Sequence, residues 1–136
     1  MTPEQHIKDG NLSEALASLQ DVVRGDPASA KHRIFLFQLL CVMGDWNRAV
    51  AQLKVSAELD EVAMTMAQMY REAIICEVYR EKVFLGEKDP LVFGKPQEWV
   101  AHLIEALKHL AAGRADEAQA AREKAFEEAP ATSGSW

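Results

Sequence analysis

Asp9-Gly10-Asn11-Leu12-Ser13-Glu14-Ala15-Leu16 is written a second time as Met43-Gly44-Asp45-Trp46-Asn47-Arg48-Ala49-Val50, with Gly10 and Gly44 standing 34 residues apart. A third version, Ala112-Gly113-Arg114-Ala115-Asp116-Glu117-Ala118, has its glycine 69 residues after Gly44, two periods plus one. A period of about 34 residues is that of stacked helix-turn-helix units. Each copy reads the same way: the glycine closes one helix in the left-handed conformation, a polar residue follows, and an apolar residue opens the next helix. The alanine five residues beyond each glycine (Ala15, Ala49, Ala118) is small where two helices must cross closely.

Working outward, Asp26-Pro27 and Ala129-Pro130 close the first and last units, because proline cannot continue a helix and also restrains the residue before it. The second unit ends in Leu59-Asp60-Glu61 with no proline. Thr2-Pro3-Glu4-Gln5 is a capping box with proline at the first helical position, which starts a short helix ending before Gly10. The remaining apolar periodicity predicts helices over about 12–24, 28–43, 46–59, 62–85, 97–112 and 115–128. The expected fold class is all-α, an array of about seven helices, irregular in the middle. One domain is expected over residues 1–130, with 131–136 a flexible tail. Helix 28–43 is apolar nearly all round from Ile34 to Met43, the pattern of a helix buried between layers.

The pattern resembles the tetratricopeptide repeat, and Gly44-Asp45-Trp46-x-x-Ala49 carries the resemblance most specifically. Phe37 departs from it, standing where a small residue is usual. The clamp by which some members of that class grip the carboxylate ends of chaperone tails is not reproduced. It needs Lys, Asn and Arg on the first helices, where this chain has Glu4, Phe35 and Ile104.

Bulk properties exclude several classes of function. The 136 residues carry a formal charge of −6 with no run of basic residues, so no nucleic acid is expected as partner. The apolar run from Ile34 to Leu40 is interrupted by Gln38 and too short to span a bilayer, so no membrane association is expected either. Cys41 and Cys76 lie in apolar helical stretches without a CxxC pattern. With no secretory signal in the polar N-terminus, they suggest a reducing compartment and a cytoplasmic location.

Between the second and third copies the repeat turn is expected to be missing. Met64 to Phe84 reads as one helix of more than twenty residues, longer than a repeat helix. A turn-rich connection, Gly86-Glu-Lys-Asp-Pro90-Leu-Val-Phe93-Gly94-Lys-Pro96, then leads to Trp99. Trp99 and Phe93 are expected to lock that connection down. Taken together, Phe35-Leu-Phe-Gln-Leu-Leu40, Gly44-Asp-Trp-Asn-Arg-Ala49, Met69-Tyr-Arg-Glu72, Val83-Phe84, Pro90, Phe93-Gly94-x-Pro96, Trp99 and Ala125-Phe-Glu-Glu-Ala-Pro-Ala-Thr132 resemble the ImpE family, the SciE-type virulence proteins, across the whole chain. The resemblance implies an accessory protein of the bacterial type VI secretion machine. Its implied partners are the small sheath subunit, through a helix of that subunit, and the ATPase that recycles contracted sheath. It also implies a second domain after Ala-Pro-Ala-Thr132, whereas this chain stops at Ser133-Gly134-Ser135-Trp136, so that domain's functions are not carried over.

No arrangement suited to nucleophilic catalysis stands out: there is no Gly-x-Ser-x-Gly, no phosphate-cradling glycine loop and no cysteine in an activating setting, so no enzyme and no cofactor are expected. Glu98, His102, Glu105 and His109, spaced four, three and four, share one helix face and are the best metal-ligand pattern. A zinc or nickel site there, in a metal-binding or small-molecule regulatory domain, is the alternative function. The plainer reading is a solvated face opposite Leu103, Leu107 and Leu110. His6 and His32 have no acidic or cysteine partner at ligand spacing.

The remaining candidates lie on the long helix. Tyr70, Arg71, Glu77 and Arg80 read either as a polar strip that anchors a partner peptide beside an apolar groove, or as an internal network bracing the irregular middle. Met64, Met66 and Met69 read as core filling or as an adaptable binding surface, and Met66 joins the partner-binding set. Glu72, Glu77 and Glu81 are expected to pair with Arg71, Arg80 and Lys82 or to face water. Self-association is a further possibility, because an unfinished repeat stack leaves an apolar end to cover.

Overall fold

The structure is a computed structural model and describes residues 1–135. Among these it contains seven helices and no strand: α1 (Pro3–Lys8), α2 (Leu12–Gly25), α3 (Ala30–Val42), α4 (Trp46–Leu59), α5 (Glu61–Phe84), α6 (Glu98–Ala111) and α7 (Ala115–Glu128). No helix among the described residues is long and apolar enough to cross a membrane. The predicted tail has no helix over 131–135, and its last residue, Trp136, lies outside the described residues.

The repeated glycines act as the sequence requires. Gly10, Gly44 and Gly113 have φ of 78°, 74° and 76°. In the second copy the Asp45 N–H donates to the Leu40 carbonyl at 2.9 Å and the Gly44 N–H to the Cys41 carbonyl at 3.1 Å. Those two bonds define a Schellman turn, which satisfies carbonyls left free at the end of α3. The same pair of bonds recurs at Gly10 and at Gly113. Ala15 and Ala49 are fully buried and Ala118 nearly so, as expected of the helix crossings.

The turn expected to be missing is half present. Gly86 ends α5 at φ 76°, its N–H donating to Val83 and that of Glu87 to Lys82, the same cap as in the three repeats. No helix opens after it. Glu87, Lys88 and Asp89 lead to Pro90, and α6 begins only at Glu98.

Packing divides the chain within α5 into two compact units, residues 1–76 and 77 onward. The core of the first is built by Leu19 and Val23 of α2, Leu36, Phe37, Leu39 and Leu40 of α3, Leu53 of α4, and Ala63, Ala67 and Ile74 of α5. Ser56 is buried among them without penalty, because its hydroxyl donates to the Gln52 carbonyl at 2.8 Å. α3 is not buried all round: Ile34, Phe35 and Cys41 are half-covered and Val42 is 70% exposed, because the last turn leaves the layer where the Gly44 turn begins. The second unit has a thinner core of Val83, Ala106, Ala118 and Ala125, around the α6–α7 hairpin.

Candidate partner-binding cleft

Asp60 is the single residue between α4 and α5, and it serves both. Its extended backbone ends α4, and its carboxylate accepts from the Val62 N–H at 2.9 Å to open α5. Asp60 thus ends this unit in place of the proline that closes the first and third.

Beyond that corner the two helices form the walls of a cleft of about 610 Å³. From α4 come Val50, Leu53, Lys54, Ala57 and Glu58, and from α5 Met64, Ala67, Gln68 and Arg71. Each set follows the i, i+3, i+4, i+7 spacing that places residues on one helix face. The floor is apolar and closed, with Leu53 and Ala67 buried, while Met64, Lys54, Glu58 and Arg71 stand exposed at the rim. The volume is within the range of sites that enclose a small ligand or several apolar side chains. What it can do chemically is bury an apolar ridge and meet charges at its edges.

The candidates from the sequence are distributed unevenly around it. Arg71 lines the cleft. Tyr70 is 41% exposed, with its ring 5.5 Å from that of buried Phe37 and tilted by 55°, so it braces α5 on α3 and keeps an open edge. Met66 is half-buried and does not line the cleft, whereas Met64 does. Met64 and Met69 are 47% and 61% exposed, which takes both out of the core. Glu77 and Arg80 pair with each other, at 2.8 and 3.1 Å, one turn apart in the second unit.

No motif in the sequence marks Val50, Lys54, Ala57 and Glu58 as site residues. The signal was there in the face of α4, but α4 read as an ordinary repeat helix whose apolar face is consumed by packing.

The metal-ligand pattern does not gather. Among the described residues no three of His, Cys, Asp and Glu come together as a metal site. His102 is turned toward α7, with Nε2 3.5 Å from Glu128 Oε2 and Nδ1 3.9 Å from Glu105 Oε2. His109 Nδ1 accepts from Arg114 Nε at 2.9 Å. The face is therefore not simply solvated either: both histidines are half-buried while Leu110 is 56% exposed. His6 and His32 have acidic neighbours that their spacing concealed, Glu14 at 3.4 Å and Asp26 at 4.0 Å, each a single carboxylate.

The connection after α5 is also held differently from expectation. Phe93 is fully exposed, because the bend at Gly94, between Pro90 and Pro96, carries it outward. The segment is tied at Asp89, whose carbonyl accepts from the Tyr79 hydroxyl at 2.7 Å and whose carboxylate meets Lys108 Nζ at 2.5 Å. Trp99 is half-buried, with its indole N–H donating to Gln97.

The recurring glycine-capped turns, with an open apolar cleft between adjoining helices, are those of an all-α helical-repeat scaffold. No family model matches the chain. Over 134 residues, 98% of its length, it is 50% identical to the type VI secretion system accessory component TagJ of Pseudomonas aeruginosa. That similarity, held over nearly the whole chain, is to a type VI secretion accessory component, as the resemblance to the ImpE (SciE-type) family implies. The chain spans about half, 48%, of that relative's length.

Proposed function

We propose that this chain is a non-catalytic, protein-binding accessory component of a bacterial type VI secretion system. Its cleft between α4 and α5 takes a helix of the small sheath subunit. The observation that carries the reading is the cleft itself: two helix faces that would ordinarily be covered by packing present an apolar floor to solvent. A helix laid along such a groove buries side chains at i, i+3, i+4 and i+7. A stable complex of this kind removes roughly 1,200–2,000 Å² from water in total. The similarity to an accessory component of that machine supports the accessory role, and the sheath subunit is the partner that the ImpE-type resemblance implies. The sheath-recycling ATPase is the other partner the family implies, and the cytoplasm is where either would be met.

Co-purification tests this. The small sheath subunit of a type VI secretion system is expected to be retained by the wild type, and roughly tenfold less by Arg71→Ala or Met64→Ala, both at exposed rim positions. Tyr70→Ala is expected to act more weakly, because Tyr70 stands beside the cleft and not in it. Retention of the ATPase alone would move the partner to the recycling step. Retention of the sheath subunit at full strength by both rim variants would remove the cleft as its site.

A further inference from the structure

The charges around the cleft are not those of the chain. The chain is acidic overall, at −6, yet the ionisable residues lining the cleft are two cations and one carboxylate: Lys54, Arg71 and Glu58. Arg24, Arg33, Arg48, Arg80 and Arg114 each hold a hydrogen bond within the chain. Arg71 and Lys54 hold none among the described residues, nor does Glu58. The two cations also stand on opposite walls, Lys54 on α4 and Arg71 on α5. Glu58 lies one turn beyond Lys54 toward the corner at Asp60. An apolar floor with a cation on either bank calls for a ridge with an anion on either flank.

We infer that the occupant of this cleft is an amphipathic helix whose apolar stripe is bordered on both sides by Asp or Glu, with no carboxylate at the end that meets Glu58. This deepens the function proposed above and rests on it. Rim charges of this kind steer and orient a partner and are screened by salt. The effect to look for is therefore selectivity between helices with equal apolar stripes.

Two labelled eighteen-residue helical peptides serve as probes. They share leucines at i, i+3, i+4 and i+7, flanked by Glu in one and by Lys in the other, and their binding to the full chain is read by fluorescence anisotropy. The Glu-flanked peptide is expected to bind roughly tenfold tighter, from two rim pairs. That preference should disappear in the doubly reversed variant Lys54→Glu/Arg71→Glu and shrink as salt rises from about 50 to 500 mM. Equal or tighter binding of the Lys-flanked peptide would overturn the inference, as would a preference that survives the double reversal. The small sheath subunit is offered in parallel to Ala57→Trp and to Gln68→Trp, which fill the cleft from either wall. The second, at an exposed position, keeps the fold if the first does not. If these variants lose the subunit but the charge preference is absent, or neither peptide binds, the charge inference fails and the cleft stands as the helix site. If both fold and still hold the subunit, the proposed function of the cleft fails as well.

Discussion

Gly86 and Gly44 perform the same backbone task under different constraints. Both have a positive φ that an L-residue adopts at a cost of about 1 kcal/mol. A Cβ at Gly44 would meet nothing within 4 Å, whereas at Gly86 it would come within 3.0 Å of Ala111 Cβ on α6. Gly44→Ala is therefore expected to cost about 1 kcal/mol in urea denaturation and Gly86→Ala about 1 kcal/mol more, from the added overlap. The double-mutant cycle with Ala111→Gly isolates that second part, and a coupling near zero would show that the turn gives way without cost. The two cysteines differ just as measurably. Burial raises the Cys41 thiol above its ordinary pKa, so it holds less thiolate at neutral pH, while Cys76 is exposed. Alkylation mapped by mass spectrometry should label Cys76 at least about tenfold faster. The sign of the linkage follows: the folded chain binds the Cys41 proton more tightly than the unfolded one. Its contribution to stability is whole below the ordinary thiol pKa and is lost as pH rises from there through the raised folded one.

At the scale of the helices, caps separate positions that the repeat makes look equivalent. Asn11, Asp45 and Arg114 occupy the same place after their glycines, but of the three only the Asp45 side chain accepts a bond from the following turn, from the Arg48 N–H at 3.3 Å. Asp45→Ala should cost about 1 kcal/mol of stability and Asn11→Ala a few tenths, measured by the same denaturation. A loss at Asn11 as large as that at Asp45 would mean that the polar residue matters for the turn and not for the cap. The contrast also shows where sequence reading succeeds. Helix existence and order follow from Gly10, Gly44 and Gly113, from Thr2-Pro3 and from Pro27 and Pro130, because each of these is a local backbone constraint that acts on its own neighbours. The cleft was harder to see because Val50, Ala57, Met64 and Ala67 have the spacing of residues that are covered by packing. Whether such a face is covered or open depends on how α5 lies beside α4, and no residue on either face encodes that alone. The surroundings of His102 were hidden for a related reason: its neighbour Glu128 lies 26 positions on, and only the α6–α7 hairpin brings it within 3.5 Å.

The molecule as a whole places its proposed binding site in one part of its length. All cleft residues, from Val50 to Arg71, belong to the unit that closes at residue 76, together with the larger share of buried apolar side chains. Residues 77 onward contribute an alanine-rich hairpin, the tied connection at Asp89 and the exposed Leu91 and Phe93, none of which lines the cleft. A segment of about 84 residues with a continuous core is above the size at which domains need disulfides or metals to fold. A fragment comprising residues 1–84, which keeps α5 intact, is therefore expected to show a helical circular dichroism spectrum and cooperative thermal unfolding. It should also bind the Glu-flanked peptide within about threefold of the full chain, a difference of less than 1 kcal/mol. If the fragment is unfolded, residues 1–130 act as one cooperative domain and the second unit is needed to hold α5 in place. If it folds but no longer binds, the site extends past residue 84 and the cleft between α4 and α5 is only part of it.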